Sequence, residues 1–426
     1  MNINRNDIEI MAPVGSFENL IASIQAKTDA IYFGIGNLNM RSASSINFTV
    51  DDLQKISNIC KDNNIKSYLT LNTVIYDEDI DDMKYIISAA TENKIDSIIA
   101  SDWAVIEEAK KQKINIHCST QLNISNKSAV RYFSQFANVI ILARELNLNQ
   151  VKNIHNYIVK NNIKGPSGDL IKIEMFIHGA LCMAISGKCY LSLHHHNRSA
   201  NRGACLQNCR REYDVDVDYN TNFIATEKEE KYQLNIENKH IMSPKDLCTL
   251  PFLDKVLEAG VRVLKIEGRG RSPEYVKRVV ESYNIALEHI INNDYTDNII
   301  QKLVDRVGEV FNRGFWDGYY LGKTLGEWSA RHSSSATKQK IFIGIGTNYF
   351  SKLGVGEFLI QTGEINIGDE VIITGPTTGV LELTITELHN DNGVCNSAKK
   401  GERFAISIPQ KIRKNDKIYK INNSLL

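Results

Sequence analysis

The sequence predicts an α/β fold: a TIM-like (β/α)8 barrel with a cysteine-rich loop after its seventh strand, followed by a small C-terminal antiparallel β-barrel. Eight short apolar runs rich in β-branched residues alternate with helical patterns in the first part of the chain. Strands separated by helices pair in parallel through right-handed crossovers, and eight of them close a barrel. Beyond residue 340 the pattern changes to short alternating strands split by turns, which is typical of a small antiparallel barrel. An open doubly wound sheet is the alternative for the first part, because the strand count depends on where each run ends.

The elements of the barrel follow one another in regular order. The predicted strands are Glu9–Val14, Ala30–Gly34, Lys66–Asn72, Ser97–Ser101, Asn115–Gln121, Val139–Glu145, Lys172–Gly179 and Val261–Gly268. The predicted helices between them are Phe17–Ala26, Val50–Asn63, Glu78–Asn93, Ala104–Gln112, Ser128–Phe136 and Asn149–Val159. A helix over Lys245–Ala259 is predicted before the eighth strand, because Pro244 and Asp246 are favoured at a helix start. Two amphipathic helices, Pro273–Ile291 and Thr296–Phe311, follow the eighth strand.

Changes in pattern predict where the domains begin and end. Residues 1–325 form the predicted catalytic domain, residues 326–340 a serine-containing linker, and residues 341–426 the small barrel. The strands predicted in the small barrel are Ile341–Gly346, Gly354–Leu359, Glu370–Thr374, Leu381–Leu388, Arg403–Ile408 and Lys417–Ile421. Alternation at Tyr213–Val217 and Tyr232–Ile236 predicts a hairpin that leaves the large barrel before its eighth strand.

Composition and charge exclude several classes of protein. Lys plus Arg and Asp plus Glu both number 50, so any nucleic-acid partner has to bind a local basic patch. No run of 18 apolar residues is present, and the N-terminus MNINRNDIEI lacks the apolar stretch of a signal peptide. We therefore expect a cytoplasmic protein without a membrane partner, whose thiols stay reduced. The sequence does not set the oligomeric state.

Four of the eight cysteines lie in the cysteine loop, residues 180–210, directly after the seventh predicted strand. Cys182, Cys189, Cys205 and Cys209 have the spacing C-x6-C-x15-C-x3-C. Thiols gathered so closely in a chain without secretion features indicate metal binding rather than disulfides, and four thiolates suit zinc or an iron–sulfur cluster. The spacing is not that of a zinc ribbon, which has two C-x2-C pairs. Buried unbonded cysteine is the structural alternative, but core cysteines do not normally converge on one irregular loop.

Polar side chains gather at the predicted carboxyl ends of the strands, where functional residues of a (β/α)8 barrel lie. Together with Gly15 they are Asn72, Asp102, Gln121, Arg144, Glu145, His178 and Glu267. The cysteine loop begins at the same face. The alternative is that loops are polar in any protein, which accounts well for Asp102 and less well for Gln121, His178 and the Arg144–Glu145 pair.

A peptidase needs a nucleophile with a base, or an activated water. The sequence contains neither Gly-x-Ser-x-Gly nor His-Glu-x-x-His. A Cys182–His178 pair would leave the other three cysteines of the loop unexplained, whereas metal binding uses all four. Arg198, Arg202 and Arg210 either balance the charge of a thiolate-bound cluster or hold an anionic substrate, because guanidinium binds carboxylates in a bidentate manner.

The motifs of the cysteine loop resemble the collagenase-like peptidase family. They are His178-Gly179-Ala180-Leu181-Cys182, Ser186-Gly187-Lys188-Cys189, Asn201-Arg202-Gly203-Ala204-Cys205 and Cys209-Arg210, supported by Ala12-Pro13-Val14-Gly15, Asp29 to Gly34, Ser243 to Leu247 and Lys265 to Arg269. The family was named for proteolysis, but several members are iron–sulfur hydroxylases of RNA or quinones. The small C-terminal barrel, with Gly368-Asp369-Glu370-Val371, is similar to the translation-factor-like barrel of its longer members. The resemblance is strongest to the branch that forms 5-hydroxyuridine at the wobble position of tRNA.

The resemblance implies a 4Fe–4S cluster and prephenate, a small dicarboxylate, as the hydroxyl donor. The implied cluster ligands are the four cysteines of the loop, with Cys248 as a reserve for Cys209. The expected catalytic residues are Glu267, His178 and Gln121. The expected substrate-binding residues are Asn72, Asn123, Arg198, Asn201, Arg202, Arg210, Lys265 and Arg269. The alternative for Glu267 is a structural set of ion pairs with Lys265 and Arg269, and the alternative functions are a collagenase-like peptidase or a hydroxylase of another substrate such as ribosomal RNA.

A local basic segment at the C-terminus is the predicted contact with tRNA. From residue 399 to residue 426 eight basic residues face two acidic ones, a net charge of +6. Lys411, Arg413 and Lys414 are the predicted phosphate contacts, which position RNA without reading its sequence. The alternative is a solvated sheet edge kept soluble by lysines.

Overall fold

The structure is a computed structural model that describes residues 4–43, 47–213, 240–323, 326–329 and 334–424. The hairpin strands predicted at Tyr213–Val217 and Tyr232–Ile236 lie outside the described residues, apart from Tyr213. The part of the predicted linker from residue 330 to residue 333 lies outside them too.

Eight parallel strands form a closed barrel, as predicted. They are β1 (Glu9–Pro13), β2 (Ala30–Gly34), β3 (Lys66–Leu71), β4 (Ser97–Ala100), β5 (Asn115–Cys118), β6 (Val139–Ile141), β7 (Lys172–Ala180) and β9 (Val261–Ile266). Each strand pairs with the next in the chain from β1 to β7, and β9 closes the barrel by pairing with both β1 and β7. Ile10 thus lies beside Leu264, and Glu174 lies beside Val263. An open doubly wound sheet is excluded by this closure.

Helices surround the barrel. They are α1 (Phe17–Gln25), α2 (Leu53–Asp62), α3 (Ile80–Glu92), α4 (Trp103–Lys111), α5 (Lys127–Phe133), α6 (Leu148–Lys160), α7 (Leu191–His196), α8 (Leu253–Glu258), α9 (Pro273–Ile291) and α10 (Asp297–Gly308). Polar side chains fix several helix starts: Ser16 accepts from the Asn19 amide before α1, and Asp102 accepts from the Ala104 amide before α4. Asp102 therefore caps a helix, which agrees with the alternative that its polarity reflects its position in a loop and not a role in a functional site. None of the described helices is long and apolar enough to cross a membrane.

The helix predicted over Lys245–Ala259 is wrong in its first half. Residues Asp246–Cys248 form β8, which pairs antiparallel with the end of β7 so that Cys248 lies opposite His178. Strand β10 (Phe315–Trp316) then pairs with β8. The end of β7 extends beyond the closed barrel, where its backbone N–H and C=O groups need hydrogen-bond partners. Residues Asp246–Cys248 provide these partners and therefore form a strand rather than the start of a helix. Asp246 is consequently buried at 2% exposure, with its carboxylate 3.5 Å from the Arg313 guanidinium.

The C-terminal part is an antiparallel sheet around its own core. Its strands are β11 (Lys338–Phe350), β12 (Val355–Ile360), β13 (Glu364–Asn366), β14 (Glu370–Gly375), β15 (Gly379–Thr384), β16 (His389–Asn390), β17 (Gly393–Val394), β18 (Ser397–Lys399), β19 (Arg403–Ser407) and β20 (Lys417–Asn423). All six predicted strands are present. Four more strands, β13, β16, β17 and β18, were not predicted, because they are too short to show an alternating pattern of apolar and polar residues. The larger sheet has the order β15-β14-β20-β11-β12-β19-β16-β17, and β13 pairs with β18. Residues Phe358, Phe404 and Ile418 are among the buried side chains that these strands share.

The sheet packs against α1 and α9 of the barrel. The Gln25 side chain donates to the Thr378 carbonyl at 2.9 Å and accepts from the Val380 amide at 2.9 Å. Arg278 of α9 pairs with Glu382 at 2.8 Å. Because β11 begins at Lys338, the sheet starts three residues before the predicted domain boundary of residue 341. The division into two domains with a linker stays a prediction.

Candidate active site

A cavity of about 150 Å³ opens at the carboxyl ends of the barrel strands. The strand ends supply Thr70, Asn72, Ser119 and Glu267 among others, and the cysteine loop supplies the opposite wall. The predicted site residues that line it are Asn72, Gln121, Asn201, Lys265, Glu267, Arg269, Cys182, Cys189, Cys205 and Cys209. The structure therefore brings together ten of the residues that the sequence marks as functional.

The cysteine loop folds through one short helix, α7, and turns that need left-handed residues. Asn197, Gln207 and Gly203 all have positive φ angles. At Gly203, with φ +82°, a Cβ would lie 2.4 Å from the Asn39 carbonyl oxygen. The Ala43 amide donates to the Gly203 carbonyl at 3.2 Å. Glycine is thus required for the close approach of the cysteine loop to the loop after β2.

Arginines surround the Cys182 thiol. Burial raises the pKa of this thiol, but the nearby guanidiniums of Arg144 and Arg41, followed by Arg210, lower the pKa overall. Cys182 is an exposed residue that lines the cavity. Arg144 also donates to the Ser186 hydroxyl at 2.6 Å, which holds its guanidinium beside the loop. This environment favours a thiolate at Cys182.

The four thiols of the cysteine loop form a donor set that suits a metal centre. Cys189 and Cys209 have pKa values raised by burial, and each lies close enough to Cys182 and Cys205 for the charges to interact. In the described part of the chain, no three His, Cys, Asp or Glu side chains converge to hold one metal ion. Four thiolates are the ligands of zinc or of an iron–sulfur cluster, and the arginines beside Cys182 suit the negative charge that either centre would carry.

Cys248, the reserve ligand, lies away from the cavity. It is 3% exposed on β8, and burial raises its pKa to about 12. The fourth thiol at the cavity is Cys209. The geometry therefore favours Cys209 over Cys248 as the fourth ligand.

Glu267 pairs with an arginine that the sequence does not mark. Its carboxylate lies 2.7 Å from the Arg41 guanidinium, in the loop after β2. The structural alternative named Lys265 and Arg269 as its partners. Lys265 instead pairs with Glu174, and Arg269 donates to the Thr70 hydroxyl at 2.8 Å while its charge also lowers the pKa of Glu267. Burial raises the pKa of Glu267, but Arg41 and Arg271 lower it overall. Glu267 is therefore ionised at neutral pH and able to accept a proton or hydrogen bond rather than donate one.

A buried network holds Lys265 at the floor of the cavity. The Lys265 ammonium lies 2.8 Å from one oxygen of Glu174, and Nδ1 of His117 lies 3.0 Å from the other. Glu174 is 0% exposed. Burial raises its pKa, but Lys265 and the His117 hydrogen bond lower it overall. Burial lowers the pKa of Lys265, and Glu174 opposes that shift. Because a buried ammonium is stable only beside a counter-charge, Glu174 favours the charged form of Lys265 at the cavity.

Arg269 is a second buried cation at the cavity. Burial lowers its pKa to about 10, so it remains charged at neutral pH. Its Nη1 lies 2.3 Å from the position that a Cβ on Gly34 would take. Any side chain at the end of β2 would displace the guanidinium, which explains the glycine that ends the Asp29 to Gly34 motif.

Amide and hydroxyl groups form a third side of the cavity. The Asn72 side-chain amide donates to Oε1 of the Gln121 side chain at 3.3 Å, and the Ser119 hydroxyl donates to the same oxygen. Asn123 does not line the cavity; its side chain donates to the Ser186 carbonyl at 3.0 Å and so holds the cysteine loop. Asn72 and Gln121 can therefore orient a polar substrate, whereas Asn123 supports the loop.

Four further predicted site residues, in addition to Asn123 and Cys248, do not line the cavity. His178 is 1% exposed and packs against Tyr275, Tyr283 and Phe315, and burial lowers its pKa to about 3. Arg202 is held by Asp79 at 2.6 Å, Arg210 donates to the carbonyls of Leu181 and Pro244, and Arg198 is exposed on the loop. Their catalytic and substrate-binding roles stay predictions that the geometry does not favour.

Three residues of the site were not predicted from the sequence: Arg41, Glu174 and His117. Arg41 lies in a loop without a motif, and only folding brings it to Glu267. Glu174 and His117 had a usable signal, because charged or ionisable residues within otherwise apolar strands usually need a buried partner.

The predicted RNA contacts lie on the small sheet. Lys411, Arg413 and Lys414 are exposed between β19 and β20, where Ile412 is buried and the Arg413 amide donates to Asp416 at 2.8 Å. The net charge of this segment is partly balanced from outside it, because Arg403 pairs with Glu357 and Lys420 pairs with Asp369.

Comparison with known proteins identifies the family. The profile of peptidase family U32 matches residues 15–330. A protein of Porphyromonas gingivalis named collagenase is 54% identical over 420 residues, which cover 99% of each chain. A tRNA hydroxylation protein of Bacillus subtilis is 29% identical over 394 residues, 90% of this chain and 87% of that protein. A 23S rRNA 5-hydroxycytidine synthase of Escherichia coli is 31% identical over 292 residues, 68% of this chain and 41% of that protein. These matches confirm the resemblance drawn from the motifs, and the chain belongs to peptidase family U32.

Proposed function

We propose that this protein is an iron–sulfur RNA hydroxylase that forms 5-hydroxyuridine at the wobble position of tRNA with prephenate as the hydroxyl donor. The observation that carries the proposal is one cavity, at the carboxyl ends of the barrel strands, that combines four thiols with buried cations. Relatives named for tRNA hydroxylation and for 5-hydroxycytidine synthesis support RNA as the substrate class.

Cys182, Cys189, Cys205 and Cys209 would hold the 4Fe–4S cluster. Such a cluster, when bound, supplies a redox-active iron centre whose potential depends on the charges and hydrogen bonds around it. Arg41, Arg144 and Arg210 provide positive charge at Cys182. Arginines in this position stabilise an anionic group and set its electrostatic surroundings.

Lys265 and Arg269 would hold the carboxylates of prephenate. Both are buried cations that line the cavity, and their own partners leave them at fixed positions. Charge-assisted hydrogen bonds of this kind are roughly twice as strong as neutral ones. Asn72 and Gln121 would orient the uracil or the hydroxyl donor, and the ionised Glu267 would accept the proton released during substitution at the base.

The second candidate function, a collagenase-like peptidase, is favoured by the name of the relative at 54% identity. The geometry supports it less well. No histidine is among the described residues that line the cavity, so Cys182 has no imidazole base beside it, as a cysteine peptidase requires.

The proposal is tested with anaerobically purified protein incubated with tRNA, with and without prephenate. We expect mass spectrometry of the digested nucleosides to show 5-hydroxyuridine only when prephenate is present. In parallel the same preparation is incubated with gelatin. If metal-free protein cleaves gelatin and the uridine stays unmodified, the hydroxylase proposal is wrong and the protein is a peptidase.

The C-terminal basic segment gives a separate prediction. Neutralising Lys411, Arg413 and Lys414 together to alanine is expected to weaken tRNA binding and to flatten its salt dependence. Each lost phosphate contact removes about 0.7–0.9 units of slope in log K against log salt. The measurement is a tRNA titration at several salt concentrations, with iron content as a check on the distant cluster.

A charge-matched control separates a local contact from a general effect of charge. Lys61, Lys111 and Lys160 are exposed lysines at the carboxyl ends of α2, α4 and α6, on the barrel face opposite the cavity. Their triple alanine variant is expected to bind tRNA almost as tightly as the native protein. If both triple variants have the native affinity and slope, the basic segment only keeps the sheet soluble.

A further inference from the structure

The mouth of the cavity exposes large apolar side chains. Met183 and Ile185 line the cavity and are nevertheless 46% and 53% exposed. Tyr190 is 70% exposed directly after Cys189, and Tyr76 is 49% exposed in the loop after β3. We call these four residues the mouth patch. Exposed apolar groups that gather around a site indicate that another molecule covers them.

Tyr76 is held against the cysteine loop. The Arg202 guanidinium lies 3.8 Å from the centre of its ring and is itself fixed by Asp79 at 2.6 Å. The Val74 amide donates at 3.1 Å to the carbonyl of Asn201, which lines the cavity. An exposed tyrosine that is fixed on one side by a cation offers a flat surface at low cost in side-chain entropy.

The side of the mouth patch formed by the cysteine loop is positively charged, whereas Tyr76 is followed by the acidic residues Asp77, Glu78 and Asp79. Residues 181–213 contain five basic residues and one acidic residue. Lys188 and Arg198 are both exposed, and each lies in the chain next to the cavity-lining segments. Aromatic surfaces interleaved with exposed cations are the combination by which proteins bind unpaired nucleic acid, because bases stack and phosphates pair.

We propose that the mouth patch binds the unpaired nucleotides that flank the target base, with bases stacked on Tyr76 and Tyr190 and phosphates on Lys188 and Arg198. The inference rests on the proposed function and deepens it. In this proposal the barrel mouth selects single-stranded RNA, and the basic segment of the small sheet contacts the rest of the RNA. A peptide without carboxylate side chains would gain nothing from these basic residues, whereas every nucleotide of RNA carries a phosphate for them to pair with.

The test compares Tyr76→Ala and Tyr190→Ala with the full-length native protein in binding a short oligouridine and an RNA duplex of equal length. Loss of one stacked base is expected to weaken oligouridine binding between about fivefold and about a hundredfold, with little change for the duplex. Tyr76→Phe and Tyr190→Phe are expected to bind as the native protein does, because phenylalanine also stacks. Tyr85→Ala is the matched control, because Tyr85 is 62% exposed on α3, outside the cavity. Iron content verifies that each variant keeps its loop intact.

Native affinity for oligouridine in both alanine variants would overturn the proposal. It would also be overturned if a gelatin peptide bound with the same dependence on the two tyrosines, since the patch would then be a peptide surface. The proposed function is judged separately by the nucleoside product. If 5-hydroxyuridine forms while the tyrosines do not matter, only the mouth patch fails; if oligouridine binding follows the tyrosines but no product forms, only the hydroxylase fails.

Discussion

Cys205→Ala is expected to purify without the proposed iron–sulfur cluster, whereas Cys248→Ala is expected to keep it. Cys205 lines the cavity with the other three loop thiols, and Cys248 is buried on β8 away from it. Because metal binding and local folding are linked, the loss of one ligand should also loosen the cysteine loop. Iron and sulfide analysis of anaerobic preparations measures the first effect, and limited proteolysis within residues 180–210 measures the second.

Cys60→Ala serves as the control for simply removing a thiol. Cys60 is a buried cysteine of α2, and the variant should retain full iron and the native proteolysis pattern. Full iron content in Cys205→Ala would contradict the ligand assignment. If Cys248→Ala loses iron while Cys209→Ala retains it, the fourth ligand is Cys248 and not Cys209.

Glu174→Ala is expected to destabilise the protein by about 3–5 kcal/mol, because it leaves the buried Lys265 ammonium without its counter-charge. The two groups are 2.8 Å apart, and the Glu174 carboxylate also holds His117. Chemical denaturation of the native and variant proteins gives the difference in free energy of unfolding. The double variant Glu174→Leu with Lys265→Met should recover much of the stability, since replacing both charges by apolar groups removes the unpaired ion.

Glu370→Ala is the surface control for this experiment. Glu370 lies 3.4 Å from Lys338, and its side chain is 59% exposed; exposed pairs of this kind contribute about 0–1 kcal/mol. Equal stability of Glu174→Ala and Glu370→Ala would show that Lys265 and Glu174 do not form a charged pair in the folded protein.

The alternation of apolar runs and helical patterns was enough to predict the barrel, because each of its parallel strands is buried and bounded by turn residues. The exception is β8. Asp246–Cys248 lies between Pro244 and an amphipathic segment, so local preference favours a helix, and only the free end of β7 makes it a strand. Pairing between distant segments has no local signature, and for the same reason the two-residue strands of the small sheet could not be predicted.

The residues of the candidate site likewise fall into two groups: those that a local pattern marks and those that only the fold brings together. The four loop cysteines and the strand-end residues Gln121 and Glu267 could be marked from spacing and position alone. Arg41 could not, because its loop has no motif and its meeting with Glu267 depends on the fold of residues more than 200 positions apart. His178 shows the opposite error: it ends a strand in a family motif, yet its ring points into the core beside Tyr283.

The most direct test of the account is the nucleoside content of tRNA from a bacterial strain that lacks its own tRNA hydroxylases and expresses this protein. We expect 5-hydroxyuridine to reappear with the native protein and to stay absent with Cys205→Ala expressed at the same level. Unmodified wobble uridine in cells that contain active, iron-loaded native protein would contradict the assignment as a tRNA hydroxylase.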